Sequence, residues 1–206
     1  MGILRYSARI GQCAVLGPGE RAVIWVHGCC FSCPGCIGER YRSGPAKETD
    51  SREMASWFLA QGTGELTISG GEPMLQAEAL SEMLEQIRKE RECGVIVYTG
   101  FVYETLLEKA ERDTALKSFL NGIDLLIDGP YIRELDENQP YRGSGNQRLL
   151  TLSPRYEEAL ESYYAAPSRQ VEIRLSTERT ILAGVPSREQ AEIWNKIKEL
   201  GDRHDD

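Results

Sequence analysis

Four of the six cysteines in this 206-residue chain fall within the eight residues Cys29 to Cys36, in the run His-Gly-Cys-Cys-Phe-Ser-Cys-Pro-Gly-Cys that starts at His27. No other stretch constrains the fold as strongly. Four thiols this close share one loop, and the rest of the chain must meet whatever they bind. Thiolates are soft donors that suit zinc or iron-sulfur clusters. A structural zinc site takes four ligands, normally as two separated pairs, whereas this loop offers one dense group and no second pair. Two registers of three cysteines remain. Cys30, Cys33 and Cys36 make the Cys-x2-Cys-x2-Cys run of a ferredoxin-type electron carrier, with Cys13 or Cys93 as a distant fourth ligand. Cys29, Cys33 and Cys36 make Cys-x3-Cys-x2-Cys. Cys13 and Cys93 otherwise read as ordinary buried thiols.

Charge narrows the partners. A formal charge of -8 and a pI near 5.0 leave no basic stripe to neutralise phosphates, which argues against nucleic acid or an anionic membrane as partner. The start lacks the apolar core of a signal peptide, and no apolar run approaches the roughly 20 residues that span a bilayer. The expected compartment is the cytoplasm, where a cysteine group is a metal site rather than a set of disulfides. With 41% hydrophobic and 27% charged positions, the chain suits one globular unit.

Residues 3 to 16 read as an edge strand or irregular lead-in, and Gly17 to Arg21 as a turn. The β-branched run Ala22 to Val26 reads as a buried strand whose carboxyl end runs into the cysteine loop. A polar loop is expected over 37 to 47, then a helix over about 50 to 61 with caps at Thr49, Asp50 and Ser51. Strands follow at Glu65 to Ser69, Val95 to Tyr98 and Ile123 to Asp128, separated by helices over 76 to 92 and over 103 to 120, the latter broken near Asp113. Alternation of this kind predicts an α/β fold of mostly parallel strands with right-handed crossovers, in a partial (βα) barrel or an open sheet. Each candidate motif stands just after a strand, where ligands of such sheets gather. After a polar loop over 131 to 147, a further strand is expected over Arg148 to Leu152. Next come a helix started by Ser153-Pro154 with an apolar face of Tyr156, Ala159, Leu160 and Tyr163, and a hairpin of Val171 to Leu175 with Thr180 to Ala183. A terminal helix begins at a capping box of Ser187 and Gln190 and carries Ile193, Trp194, Ile197 and Leu200. Residues 202 to 206 are expected to be disordered.

Gly70-Gly71-Glu72-Pro73 is the second informative stretch. Two glycines after a strand let the backbone approach a ligand closely, and Glu72 puts a carboxylate where a cationic ammonium could be held. Standing alone, the four residues are equally compatible with a simple turn.

Taken together, Cys29, Cys33 and Cys36 and the Gly-Gly-Glu-Pro turn one crossover later resemble the radical S-adenosylmethionine enzymes. The resemblance implies that the three cysteines bind a [4Fe-4S] cluster with one open iron, and that S-adenosylmethionine chelates it through its amino and carboxylate groups. Gly70, Gly71, Glu72 and Pro73 would serve the methionyl moiety, and Thr99 and Asp128 the ribose or nearby polar contacts. No catalytic side chain is implied beyond cluster and cofactor. Within the family the chain is similar to the activating proteins of glycyl-radical enzymes, above all of anaerobic ribonucleotide reductase. The matching stretches are Gly17-Pro18-Gly19-x-Arg21, the Cys-Pro-Gly-Cys form of the loop, Tyr98-Thr99-Gly100, Asp128-Gly129 and Arg142-Gly143-Ser144-x-Asn146-Gln147. It departs at Gly35 and Ile37, where aromatic residues are common, and at Pro130, where the activators carry a lysine after Asp-Gly. The implied activity is reductive cleavage of S-adenosylmethionine to install a glycyl radical on a partner enzyme, with flavodoxin or ferredoxin as one-electron donor. A peptide or small metabolite as substrate is the alternative. The implied organisation is a core over 1 to 152 and an extension over 153 to 206 packed on it, longer than the minimal activators require.

Overall fold

The computed structural model describes residues 2–164, 169–175 and 180–201. In chain order the first elements are β1 (Ile3–Cys13), β2 (Arg21–Val26), α1 (Glu39–Ser43), β3 (Lys47–Asp50), α2 (Ser51–Leu59), β4 (Glu65–Gly70) and α3 (Ala77–Glu90). There follow β5 (Gly94–Tyr98), α4 (Tyr103–Ala110), α5 (Thr114–Asn121), β6 (Leu125–Asp128), β7 (Arg148–Thr151), α6 (Glu157–Tyr164), β8 (Val171–Leu175), β9 (Thr180–Gly184) and α7 (Arg188–Gly201). Strands β1 to β7 form one sheet in the order β3-β1-β2-β4-β5-β6-β7, while β8 and β9 make a separate antiparallel pair. The four central strands β2, β4, β5 and β6 are parallel, and β1, β3 and β7 run antiparallel to their neighbours. The fold is therefore mixed α/β around a parallel centre. Its sheet is open, ending at β3 and β7, with no closure among the described residues.

The alternation of side chains along the strands builds two cores. Ala22, Ile24 and Val26 of β2 join Leu66, Ile68, Val95 and Val97 against Met54, Phe58, Leu80, Met83 and Ile87 of α2 and α3. Val23 and Trp25 face the other way, toward Ile181 and Ala183 of β9, and Ile96, Leu125 and Ile127 pack on Tyr156 and Leu160. A parallel sheet needs cover on both faces, and here the carboxyl-terminal elements cover the second one.

The caps lie where their chemistry predicts. Asp50 accepts the Glu53 amide at 2.8 Å and Asp113 the Leu116 amide at 2.9 Å, which ends α4 and starts α5. Ser187 and Gln190 exchange reciprocal bonds at 3.2 and 2.8 Å. Two expectations are corrected. The first strand is not an edge but an 11-residue strand paired on both sides; its new neighbour β3 and the short helix α1, which buries Tyr41, both lie in or beside the stretch expected to be a loop. The short, polar segment Lys47-Glu48-Thr49-Asp50 makes a strand only because the paired edge of β1 is there to receive it. Residues 202 to 206 and the side chains of Tyr163, Trp194, Ile197 and Leu200 lie outside the described residues. No described helix is long and apolar enough to cross a membrane.

Arg21 explains its place in the Gly-Pro-Gly-x-Arg run. It is fully buried at the amino end of β2, and its guanidinium donates to Thr67 Oγ1 (2.6 Å), Pro18 O (2.5 Å), Leu66 O (3.0 Å) and Tyr156 Oη (3.1 Å), with Glu65 at 3.6 Å. Arg21→Ala leaves these acceptors buried and unpaired. It is expected to lower the unfolding free energy by about 3 kcal/mol, measured by denaturant titration; a loss below about 1 kcal/mol, the value of an exposed pair, would remove Arg21 from this role.

Candidate functional site

The carboxyl ends of the four parallel strands open on one cavity of about 930 Å³, the position at which open α/β sheets take their ligands. The cysteine loop leaves β2, the Gly70-Gly71-Glu72 turn leaves β4, Thr99-Gly100 leaves β5 and Gly129 leaves β6, and all of them line it.

Backbone bonds lock the first two segments together. Gly71 N donates to Val26 O and Glu72 N to Gly28 O, both at 2.8 Å. Glycine is required at this crossing. Gly70 has φ +106°, and a Cβ there would stand 2.5 Å from Val26 O. A Cβ on Gly71 would collide with the Gly28 carbonyl. The nearest neighbour of the two glycines is thus the backbone of the cysteine strand and loop, and it is this contact that brings the turn and the thiols to one cavity.

Cys29, Cys33 and Cys36 are half-buried and line the cavity, whereas Cys30 is exposed and is not among its lining residues. Burial, assisted by Glu72 and neighbouring thiols, pushes the Cys29 thiol above its usual range, and burial does the same for Cys36. Cys13 and Cys93 are buried elsewhere, the former beneath Trp25 and Leu16, the latter in the core below α3. Burial lifts their thiols to about 11 and about 12.

Glu72 is almost completely buried. Its Oε1 accepts Thr99 Oγ1 at 2.7 Å and Met74 N at 3.0 Å, and its Oε2 accepts Gly100 N at 2.8 Å. Burial still raises its pKa, against the opposing pull of these three donors. Thr99 therefore holds Glu72. Pro73 starts the short 3-10 turn behind it and is buried, outside the lining. Asp128 is fully buried and also lies outside the lining: its carboxylate accepts Tyr103 N at 2.8 Å and Arg148 Nε at 3.0 Å, at the start of α4.

The Arg142 to Gln147 turn is a brace. Gln147 accepts the Gly143 and Ser144 amides and donates to Gly129 O at 2.8 Å, and Asn146 donates to Pro130 O at 2.8 Å. It holds the chain where it leaves β6 for the cavity. At the tip of the cysteine loop, Phe31 meets Phe101 edge to face at 4.9 Å and seats against Gly100, where a Cβ would stand 2.6 Å from its ring. Sequence reasoning missed Phe31, Tyr41, Arg133 and Arg169 and the wall formed by Leu182, Gly184, Pro186 and Arg188. These follow from packing between segments that are separate in the chain, for which no local pattern exists.

Among the described residues no three His, Cys, Asp or Glu side chains gather as they would around a single metal ion. Three cysteines line one large cavity, and thiolates are the ligands of iron-sulfur centres. The fold and the site thus define a class, an α/β protein that brings three cysteines and a buried carboxylate to one cavity. Residues 15–150 match the 4Fe-4S single cluster domain. The chain is 32% identical over 144 residues to the anaerobic ribonucleoside-triphosphate reductase-activating protein of Vibrio cholerae, covering 65% of this chain and 88% of that one. It is 30% identical over 142 residues to the protein of that name in Enterobacteria phage T4 (66% and 86%), and 27% identical over 147 residues to that of Escherichia coli K12 (65% and 89%). The chain belongs to the 4Fe-4S single cluster domain family and, within it, to the anaerobic ribonucleoside-triphosphate reductase-activating proteins.

The thiol environments predict an order of alkylation. In the native, metal-free chain the exposed Cys30 reacts with iodoacetamide ahead of Cys13 and Cys93, which react only on unfolding, because thiolates are the nucleophiles and theirs are suppressed by burial. Peptide mass spectrometry of partially labelled protein measures this; early labelling of Cys93 would contradict the packing.

Proposed function

We propose that this chain is a radical S-adenosylmethionine enzyme that activates an anaerobic ribonucleoside-triphosphate reductase by installing a glycyl radical. The observation that carries the reading is that Cys29, Cys33 and Cys36 line the same cavity as the Gly70-Gly71-Glu72 turn, while Cys30 does not. In this reading Cys29, Cys33 and Cys36 hold a [4Fe-4S] cluster and Cys30 takes no part. When bound, cluster and S-adenosylmethionine supply reductive cleavage of the sulfonium bond and a 5′-deoxyadenosyl radical able to take hydrogen from glycine. The protein binds, orients and excludes water and oxygen.

Glu72 is the acceptor for the methionyl ammonium, held in place by Thr99 Oγ1 and the Gly100 amide. Gly70 and Gly71 keep that wall thin, and Pro73 fixes the exit of the turn. Asp128 acts at one remove, anchoring the start of α4 and Arg148, so that the segment after β6 keeps its line. The core over 1 to 152 carries the chemistry as a partial barrel left open for the partner, and the described part of the extension over 153 to 206 covers the second face through Tyr156, Leu160, Ile181 and Ala183. The electron comes from a small donor such as flavodoxin or ferredoxin, in the cytoplasm.

Anaerobic reconstitution tests the assignment. Cys30→Ala is expected to keep the iron content of the unaltered chain, and Cys29→Ala, Cys33→Ala or Cys36→Ala to lose the cluster. Loss in Cys30→Ala with Cys29 dispensable establishes the ferredoxin register instead. The loaded protein should form 5′-deoxyadenosine from S-adenosylmethionine under a low-potential reductant and, with the reductase added, a glycyl EPR doublet. Cleavage without the doublet would point to a peptide or metabolite as substrate, and no cleavage to an electron carrier.

A further inference from the structure

One cation touches the cysteine loop from outside it. Arg133, in the loop between β6 and β7, lays its guanidinium on the bare backbone of Gly35, between Cys33 and Cys36. A Cβ on Gly35 would stand 2.5, 2.7 and 2.9 Å from Arg133 Nη2, Nε and Cζ. Gly35 also has φ +75°, so both its space and its conformation exclude a side chain. Arg133 and Gly35 line the cavity together with Cys33 and Cys36.

The other cations around the loop have partners, Arg42 included, which lies close enough to act on Cys36. Arg42 pairs with Glu39 at 3.2 Å, Arg40 donates to Tyr41 Oη at 2.5 Å, and Lys109 sits over the Phe101 ring. The guanidinium of Arg133 has no ion pair among the described residues. The adjacent Asp136 is taken by Arg169 at 2.8 Å and approached by Arg188 at 4.0 Å. An unpaired cation against a segment flanked by two thiols, in the cavity that the buried Glu72 also lines and in a chain of net charge -8, adds positive charge where Arg42 is already committed to Glu39.

The carboxyl-terminal elements hold it there. Arg188, in the first turn of α7, donates to the Arg133 carbonyl. Arg169, nearly fully buried, donates to the carbonyls of Gln139 (2.9 Å), Arg142 (2.7 Å), Gly143 (2.8 Å) and Pro186 (3.1 Å). The segment past residue 150, beyond the matched domain, thereby fixes the loop that carries Arg133.

We propose that Arg133 is a positioning residue for charge, its guanidinium compensating the thiolates of Cys33 and Cys36 and the electron added to their cluster, and that the carboxyl-terminal extension sets its place. The proposal rests on the cluster assignment above. Its step is a one-electron reduction, with the electron supplied by an external reductant, and a nearby positive charge favours the reduced form.

The test is a potentiometric titration with dithionite of the anaerobically reconstituted full-length chain. It is followed by EPR of the reduced cluster and done without S-adenosylmethionine, so that the cofactor's carboxylate contributes nothing. Arg133→Gln is expected to lower the reduced-to-oxidised ratio at a given potential about tenfold, a shift of about 59 mV to more negative potential for a one-electron couple. Iron content should be unchanged, and Arg133→Lys should stay near the starting value. If Arg133→Gln takes up no cluster while Arg133→Lys does, the need for the charge is shown directly. A Gln variant that loads and titrates at the unaltered potential overturns the proposal, as does a Lys variant that falls with it. Failure of the unaltered chain to load would instead strike the cluster assignment.

Discussion

Two backbone hydrogen bonds, from Gly71 N to Val26 O and from Glu72 N to Gly28 O, hold the site together. They tie the exit of one parallel strand to the exit of its neighbour, one residue beyond the sheet ladder that ends at Val26 and Gly70. Everything nearby assumes that closeness. The thiol loop borrows its starting direction from it, and Glu72 is carried inward until Thr99 and Gly100 of the next strand can hold its carboxylate. A methyl group at position 70 or 71 would part the two segments and leave buried amides without acceptors, at about 1–3 kcal/mol each. The glycines therefore serve the cavity by serving the backbone.

The opposite end of the same strands is held by a different device. Arg21 is a full charge in a closed interior, and it is tolerated because its donors reach a hydroxyl, two carbonyls and a tyrosine oxygen. Tyr156 belongs to the segment before α6, so the same residue that satisfies Arg21 also packs on Ile96, Leu125 and Ile127. The carboxyl-terminal part of the chain is thus engaged twice: by polar contacts at the floor of the sheet, and through Arg169 and Arg188 at its mouth.

Legibility followed range. The central strands could be read because each is a short run of β-branched and aliphatic residues, and the helices because their caps and apolar stripes are local. Asp50, Ser153 and Ser187 cap where their spacing indicated, and Asp113 caps α5 at the break expected near it. The length of β1 and the existence of β3 were not legible, since Arg5, Ser7 and Arg9 dilute the apolar pattern and Lys47 to Asp50 has none. The Arg142 to Gln147 turn was visible as a pattern, but its work is done on Gly129 and Pro130, which no spacing within it reveals. Thr99 and Asp128 were both singled out as polar groups beside a ligand. The first turned out to hold Glu72 and the second to anchor α4, distinctions that depend on which way a side chain leaves its strand.

The sequence by itself determined that a thiol-rich loop follows a buried strand and that a two-glycine turn with a carboxylate follows the next, because both are local patterns of spacing and propensity. Spacing alone left two registers of three cysteines, and the resemblance that the Gly-Gly-Glu-Pro turn completes chose Cys29, Cys33 and Cys36. Only the tertiary structure lines one cavity with Cys29, Cys33 and Cys36 and leaves Cys30 exposed outside it. It also brought Arg133 onto Gly35 across almost a hundred residues of chain. Such a contact costs no local strain and leaves no periodic trace, so it exists only once the sheet, its brace and the carboxyl-terminal segment have come together.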